Sequence, residues 1–260
     1  NRLHAVLHRH HILSPEGDPF TPAKHEWWLG LEVSALERAR VRCDLEVLVF
    51  AQAQMAHLEE AMIALAAQDE RVPLLVQIPG IAWLTALTLL GAVGDISRFP
   101  TAKHLVGYAG LGTRVHDSGQ TRRSGRITKA GRRDIRAAMV ESAHTASRTH
   151  VHWREELARL EPRLGKNKAI VAIARKLLVT VWHVLTEGCA DRFADPEQVA
   201  RKLMKHALQL GRKHRPEGQT TAEYVREQLD RLGQGADLTA FRQGSRTIRL
   251  PPSRLGAEDD

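Results

Sequence analysis

Apolar positions recur at helical rather than strand spacing along most of the chain. Leu3, Val6 and Leu7, with Leu13 beyond them, predict a short helix over residues 1–13. Pro15, Gly17, Pro19 and Pro22 then break the chain into a loop, and residues 24–70 resume as one or two long helices. Within that stretch Leu48, Ala51, Met55, Leu58, Met62 and Leu65 are spaced 3, 4, 3, 4 and 3 apart. That is the a/d seam of a short coiled coil or antiparallel helical hairpin, serving as a spacer or a dimerisation arm, with a core-packing stripe within one chain as an equal alternative. Ile170, Ile173, Leu177, Val181 and Leu185 stripe a strong helix over 166–187, which Gly188 stops. From Asp195 on, the chain is polar and only locally helical (Glu197 to Leu210, Thr221 to Leu232), and residues 233–260 are expected to be disordered. The pattern predicts a mainly α protein. A helical or coiled-coil arm occupies 1–70, a compact helical domain 71–190, and a polar tail, partly helical and partly disordered, 191–260.

Composition supports helices: 43% of residues are hydrophobic but only 5% aromatic, so Leu, Ala, Val and Ile do the packing. Charge changes the picture further. The chain carries a formal +8, and between Arg98 and Arg136 ten Lys or Arg stand against two acids, Asp117 and Asp134. A long, nearly one-signed run interleaved with glycine favours phosphate binding over a merely solvated face. Cys43 and Cys189 are too few for a disulfide framework or a zinc site, and a reducing cytoplasm is the simple expectation. No uncharged apolar run reaches the length of a membrane span and no signal peptide stands at the start, so a membrane is not expected as a partner. His4 and His8 are one helical turn apart, but no carboxylate or thiol completes a metal site there; a basic helix facing solvent or nucleic acid is the favoured reading.

Three motifs carry chemistry. In Leu74-Leu-Val-Gln-Ile-Pro-Gly-Ile81 an apolar helix is stopped by Pro-Gly and another begins at once, the layout of a helix-hairpin-helix with Ala82 where a second glycine is usual. Amides around Gly80 and Ile81 would then hold a phosphate without reading sequence. In Gly94-Asp-Ile-Ser-Arg-Phe99 through Tyr108-Ala-Gly-Leu111, Asp95 is read as a helix cap rather than a metal ligand, and Phe99 and Leu105 as core anchors. The third, His116-Asp-Ser-Gly-Gln-Thr-Arg-Arg-Ser-Gly-Arg-Ile-Thr-Lys-Ala-Gly131, reads as a polar, arginine-rich loop leading into a helix. A hydroxyl that attacks a phosphodiester needs access, a proton acceptor and cations around the phosphorus. Ser118 beside Gly119 offers the first, His116 or Asp117 the second, and Arg114, Arg122, Arg123, Arg126 and Lys129 the third, with Arg132 and Arg133 extending the basic surface. Thr121, Ser124 and Thr128 are rival hydroxyls, and a plain turn serine is the bland reading.

The run Ile78-Pro-Gly-Ile81, Leu84-Thr-Ala, Gly94-Asp-Ile, Arg98-Phe99, Tyr108-Ala-Gly-Leu111, Asp117-Ser-Gly119, Arg126-Ile-Thr-Lys-Ala-Gly131 and Arg136 resembles the transposase domain of the insertion sequence 110/116/902 family, in order and spacing. The helical stretch before it is similar to that family's linker. The resemblance implies DNA transposition, with a serine, here Ser118, that becomes covalently joined to DNA. It implies a RuvC-like N-terminal domain whose four acids hold magnesium, assembly as dimers or tetramers with one subunit completing another's serine site, and in some members a structured guide RNA. No acidic tetrad on a strand-rich half is present in this sequence. The chain as given is therefore expected to need no cofactor of its own, magnesium belonging to the missing domain, and not to cut DNA by itself. A non-enzymatic helix-hairpin-helix nucleic-acid-binding module is the alternative, and a coiled-coil adaptor the third reading.

Overall fold

In the computed structural model the backbone is described for residues 2–118 and 121–255, and side chains for the same residues except 114–118 and 121–126. The elements are α1 (Arg2–Arg9), α2 (His25–Leu29), α3 (Ala35–Gln68), α4 (Arg71–Val76), α5 (Trp83–Val93), α6 (Ala102–Tyr108), β1 (Thr113–Ser118), β2 (Thr121–Ile127), α7 (Arg133–Thr149), α8 (Val151–Leu164), α9 (Lys166–Glu187), α10 (Pro196–Leu210), α11 (Thr221–Arg231), β3 (Ala240–Gln243) and β4 (Arg246–Arg249). The protein is mainly α, and each pair of strands forms a two-stranded antiparallel hairpin. Two compact units divide at Ala61/Met62, inside α3.

In the first unit the predicted stripe of α1 is buried: Leu3, Val6 and Leu7 pack with Trp28, Leu31, Val41 and Leu45. The Trp28 indole donates to the Pro19 carbonyl at 2.7 Å, fixing the proline-rich loop over this small core. Arg2–Asp44 and Arg9–Glu37 pairs, each 2.6 Å, tie α1 to α3. His4 lies edge-on to Phe20, with ring centroids 5.0 Å apart. Along α3 the residues from Val49 to Ala61 are all exposed, including Met55 and Leu58 of the apolar seam.

The second unit is built around α9, which packs against α4, α6, α7 and α8. Ile170, Ile173, Leu177 and Val181 are buried as the stripe predicts, and Gly188 caps the helix in the left-handed conformation (φ 64°). By length and apolarity α9 is the described helix that would suffice to cross a membrane. In this fold its apolar stripe is core. The Trp182 indole donates to Phe99 O at 2.8 Å, and Arg98 lies over the rings of Phe99 and Tyr108.

The tail departs from expectation. Residues 196–249 fold as α10, α11 and the β3–β4 hairpin, and Val199, Leu203, Val225, Leu229, Phe241 and Leu250 enter the same core as residues of α5, α7 and α9. The disorder expected from residue 233 onward is replaced, through residue 255, by structure organised on one buried arginine. The Arg226 guanidinium donates to the carbonyls of Pro251 (2.9 Å), Gly235 (2.8 Å) and Leu238, and pairs with Asp230 at 3.5 Å. Asp230 in turn accepts from Ser253 Oγ and the Arg254 amide. Backbone carbonyls that would otherwise be unpaired are satisfied by a charged donor, so a segment poor in apolar residues can still be ordered.

Candidate functional site

The arginine-rich segment is a β-hairpin rather than a loop. β1 and β2 pair antiparallel, with Ser118 opposite Thr121, Asp117 opposite Arg122, His116 opposite Arg123 and Val115 opposite Ser124. A register shift follows before Thr113 meets Ile127. Ser118 is therefore the last residue of β1 and its partner Thr121 the first of β2. Gly119 lies outside the described residues, as do the side chains of Arg114, Ser118, Arg122, Arg123 and Arg126. Period-two alternation over so polar a segment leaves no hydrophobic signature, which is why the sequence reads as a loop.

The hairpin is fixed at its root by backbone. Thr128 N donates to Gly112 O (2.8 Å), Lys129 N to Gly110 O (3.1 Å) and Arg132 N to Tyr108 O (2.8 Å). The two segments approach too closely for side chains at the glycines. A Cβ on Gly131 (φ 130°) would sit 2.2 Å from Tyr108 O, and one on Gly110 (φ 68°) 2.8 Å from Ala130 O. Arg136 reaches back from α7 to donate to Ala109 O at 2.9 Å. The Tyr108-Ala-Gly-Leu111 and Lys129-Ala-Gly131 motifs and Arg136 thus form one joint, seated on the fully buried Leu111 and Ile135.

Around this joint Lys129 and Arg133 are exposed, Lys129 in the left-handed conformation (φ 53°). Arg132 is less free than the sequence suggests. Its guanidinium donates to both carboxylate oxygens of Asp134 at 2.9 and 2.5 Å, which holds the Asp134 carboxyl down at about 2. Asp95 accepts from Ser97 N at 2.9 Å and caps a short 3-10 turn, as expected of it.

The Pro79-Gly80 turn between α4 and α5 is packed inward. A Cβ on Gly80 (φ 82°) would lie 2.1 Å from Ser142 O of α7. Ile81 is fully buried and its amide donates to Ile78 O at 3.1 Å, so neither its side chain nor its N–H is available to a ligand in this fold. α5 follows the exposed Ala82, its N-cap residue, without a side-chain cap. Two groups invisible to local reading complete the turn. Lys202 of α10 donates its amine to Ile78 O, and burial pushes that ammonium down to about 7. Gln77 bridges Cys189 O (3.2 Å) and Asp191 N (3.1 Å). No local pattern links residues more than a hundred positions apart. Among the described residues no three His, Cys, Asp or Glu side chains come together to hold a metal ion.

Residues 72–158 match the family described as Transposase IS116/IS110/IS902. The matched region contains the Pro-Gly turn, the joint and the β1–β2 hairpin. The chain is 34% identical over 133 residues to the transposase for insertion sequence element IS1111A of Coxiella burnetii, covering 49% of this chain and 36% of that protein. It is 36% identical over 123 residues to the pilin gene-inverting protein of Moraxella bovis, 46% of this chain and 38% of that protein. An insertion element IS110 protein of Streptomyces coelicolor is 32% identical over 137 residues, 52% of this chain and 34% of that protein. The chain thus spans little more than a third of the length of these relatives.

Proposed function

We propose that this chain is the DNA-recombining part of an insertion-sequence transposase and that Ser118 is its nucleophile. The observation that carries the reading is the joint at Gly110 and Gly131: the family's motif residues converge on it, and it anchors the hairpin whose first strand ends at Ser118. In the proposed step Ser118 Oγ bonds to the phosphorus of a scissile phosphodiester as one bridging P–O bond breaks. The serine proton passes to a base, for which His116 and Asp117 are the neighbours in sequence, and the departing strand oxygen takes up a proton. Arg114, Arg122, Arg123 and Arg126, with Lys129 and Arg133, supply positive charge around the phosphate. DNA is the partner, a guide RNA an additional one, and a dimer or tetramer the assembly, with the exposed seam of α3 as the arm that pairs subunits.

The test is covalent trapping. Full-length protein is incubated with a DNA substrate nicked so that rejoining is blocked, and denaturing gels are read for a protein–DNA adduct. The unmodified protein forms the adduct and Ser118→Ala does not, while both shift the same DNA in a native gel. An adduct that persists in Ser118→Ala overturns the nucleophile. Binding without any adduct in the unmodified protein favours a module that only grips phosphates.

A further inference from the structure

The β3–β4 hairpin lies outside the stretch matched by the family, and nothing in the proposed reaction uses it. Its register is Ala240–Arg249, Phe241–Ile248, Arg242–Thr247 and Gln243–Arg246. Cross-strand partners share a face and successive residues alternate. Phe241 and Ile248 face inward, Phe241 at 2% exposure, and so anchor the hairpin on the core. The other face carries Arg242, Thr247 and Arg249, all exposed, while Arg246, which the register puts on the face of Phe241 and Ile248, stands exposed beside the turn.

The hairpin is also braced along β3. Arg201 of α10 donates to Arg242 O at 2.8 Å, and Glu197 accepts from Arg242 N at 3.5 Å. Glu197 is itself paired with Arg201. The other ion pairs of this region are Arg226–Asp230 and Arg231–Glu70, so none of the three hairpin guanidiniums is neutralised by an acid among the described residues. Between residues 233 and 255 four arginines (Arg242, Arg246, Arg249, Arg254) stand against one acid, Asp237. Lys205 adds an exposed cation one helical turn beyond Arg201.

We propose that this hairpin is a second nucleic-acid contact surface, gripping the phosphodiester backbone through Arg242, Arg246 and Arg249. A two-stranded antiparallel ribbon is narrow enough to enter a duplex groove, and an order held by Arg226 and Arg201 means the backbone that carries the guanidiniums is already fixed before binding. The contact is with phosphates and is independent of base sequence. The proposal rests on the reading that the chain handles nucleic acid, and adds a site remote in sequence from the Ser118 hairpin.

The experiment titrates the protein against a DNA duplex of arbitrary sequence and, separately, the same sequence as an RNA duplex, across a salt series. For each duplex-DNA phosphate that a cation ceases to neutralise, the slope of log K against log salt shrinks by about 0.9. The triple variant Arg242→Gln/Arg246→Gln/Arg249→Gln is expected to lose about 2 to 3 from that slope. Arg242→Gln and Arg249→Gln alone lose about one each, which keeps the test decisive if the triple variant does not fold. The triple lysine variant keeps the slope, since counterion release counts charges. A loss on both duplexes assigns the hairpin to the shared backbone, and a loss on RNA alone assigns it to an RNA partner. Unchanged slopes in the glutamine variants, with binding otherwise intact, overturn the hairpin's role. Failure of the unmodified protein to bind either duplex overturns the underlying reading as well.

Discussion

The two hairpins have the same topology and are both rich in arginine, yet they are held by opposite means. The β1–β2 hairpin is fixed at its root, where backbone meets backbone and Gly110 and Gly131 admit no side chain. The β3–β4 hairpin is docked by side chains, by Phe241 in the core, by Arg201 on β3 and by Arg226 on the segments that flank it. A joint made by backbone at glycine depends on the absence of atoms, and its signature is a local motif. A hairpin docked by side chains depends on donors far away in sequence, and it leaves no motif at all. The first is therefore recognisable in a sequence and the second only in a fold.

The comparison can be broken most sharply at Arg226. Arg226→Met strands three carbonyls and leaves Asp230 without its ion-pair partner, and is expected to cost about 3 to 5 kcal/mol. Limited proteolysis should then cut within residues 235–255 before it cuts elsewhere; an unchanged cleavage pattern and denaturation midpoint would contradict the docking account. Gly131→Ala attacks the other hairpin. The added Cβ meets Tyr108 O at a backbone angle that L-residues rarely adopt, and a loss of about 3 kcal/mol is expected in urea unfolding. Adduct formation should fall with it, whereas the slope contributed by Arg242, Arg246 and Arg249 should not.

A pH change separates the regions more gently. His206 of α10 is buried beside Tyr224 of α11, and burial pushes its imidazole down to about 4 from 6.5. Between those values the unfolded chain binds the proton and the folded one does not, so stability is complete above pH 6.5 and falls as pH drops toward 4, by roughly 3 kcal/mol. His206→Gln should flatten the profile of midpoint against pH in that window; an equally steep profile would show that other groups set it. The smallest effect is at Asp134. Asp134→Asn removes a solvent-exposed partner of Arg132, leaves the unfolding midpoint unmoved and strengthens DNA binding at low salt, because the freed guanidinium joins Lys129 and Arg133. Weaker binding would mean that the pair positions Arg132 instead.

Much of the fold was legible in advance because helices of this size announce themselves by period. The stripe of α9, its Gly188 cap and the cap at Asp95 all lie where the sequence puts them. The extended form of residues 113–127 was not legible, since polar strands carry no apolar alternation. Nor was the order of residues 233–255, which depends on Arg226. The Pro-Gly turn was legible as a turn, but its inward packing against Ser142 and Lys202 was not.

By itself the sequence determined what local physics controls: helix periods, the glycine stop at Gly188, the concentration of cations and the motifs within the stretch, 72–158, that matches the transposase family. Only the tertiary structure decided which polar groups meet: Arg226 with three carbonyls, Arg132 with Asp134, Lys202 with the Pro-Gly turn, and two cationic ribbons from segments that look unstructured on paper. The reason is range. Hydrogen bonds and ion pairs act over a few ångströms in space, and they couple residues whose separation along the chain no periodicity records.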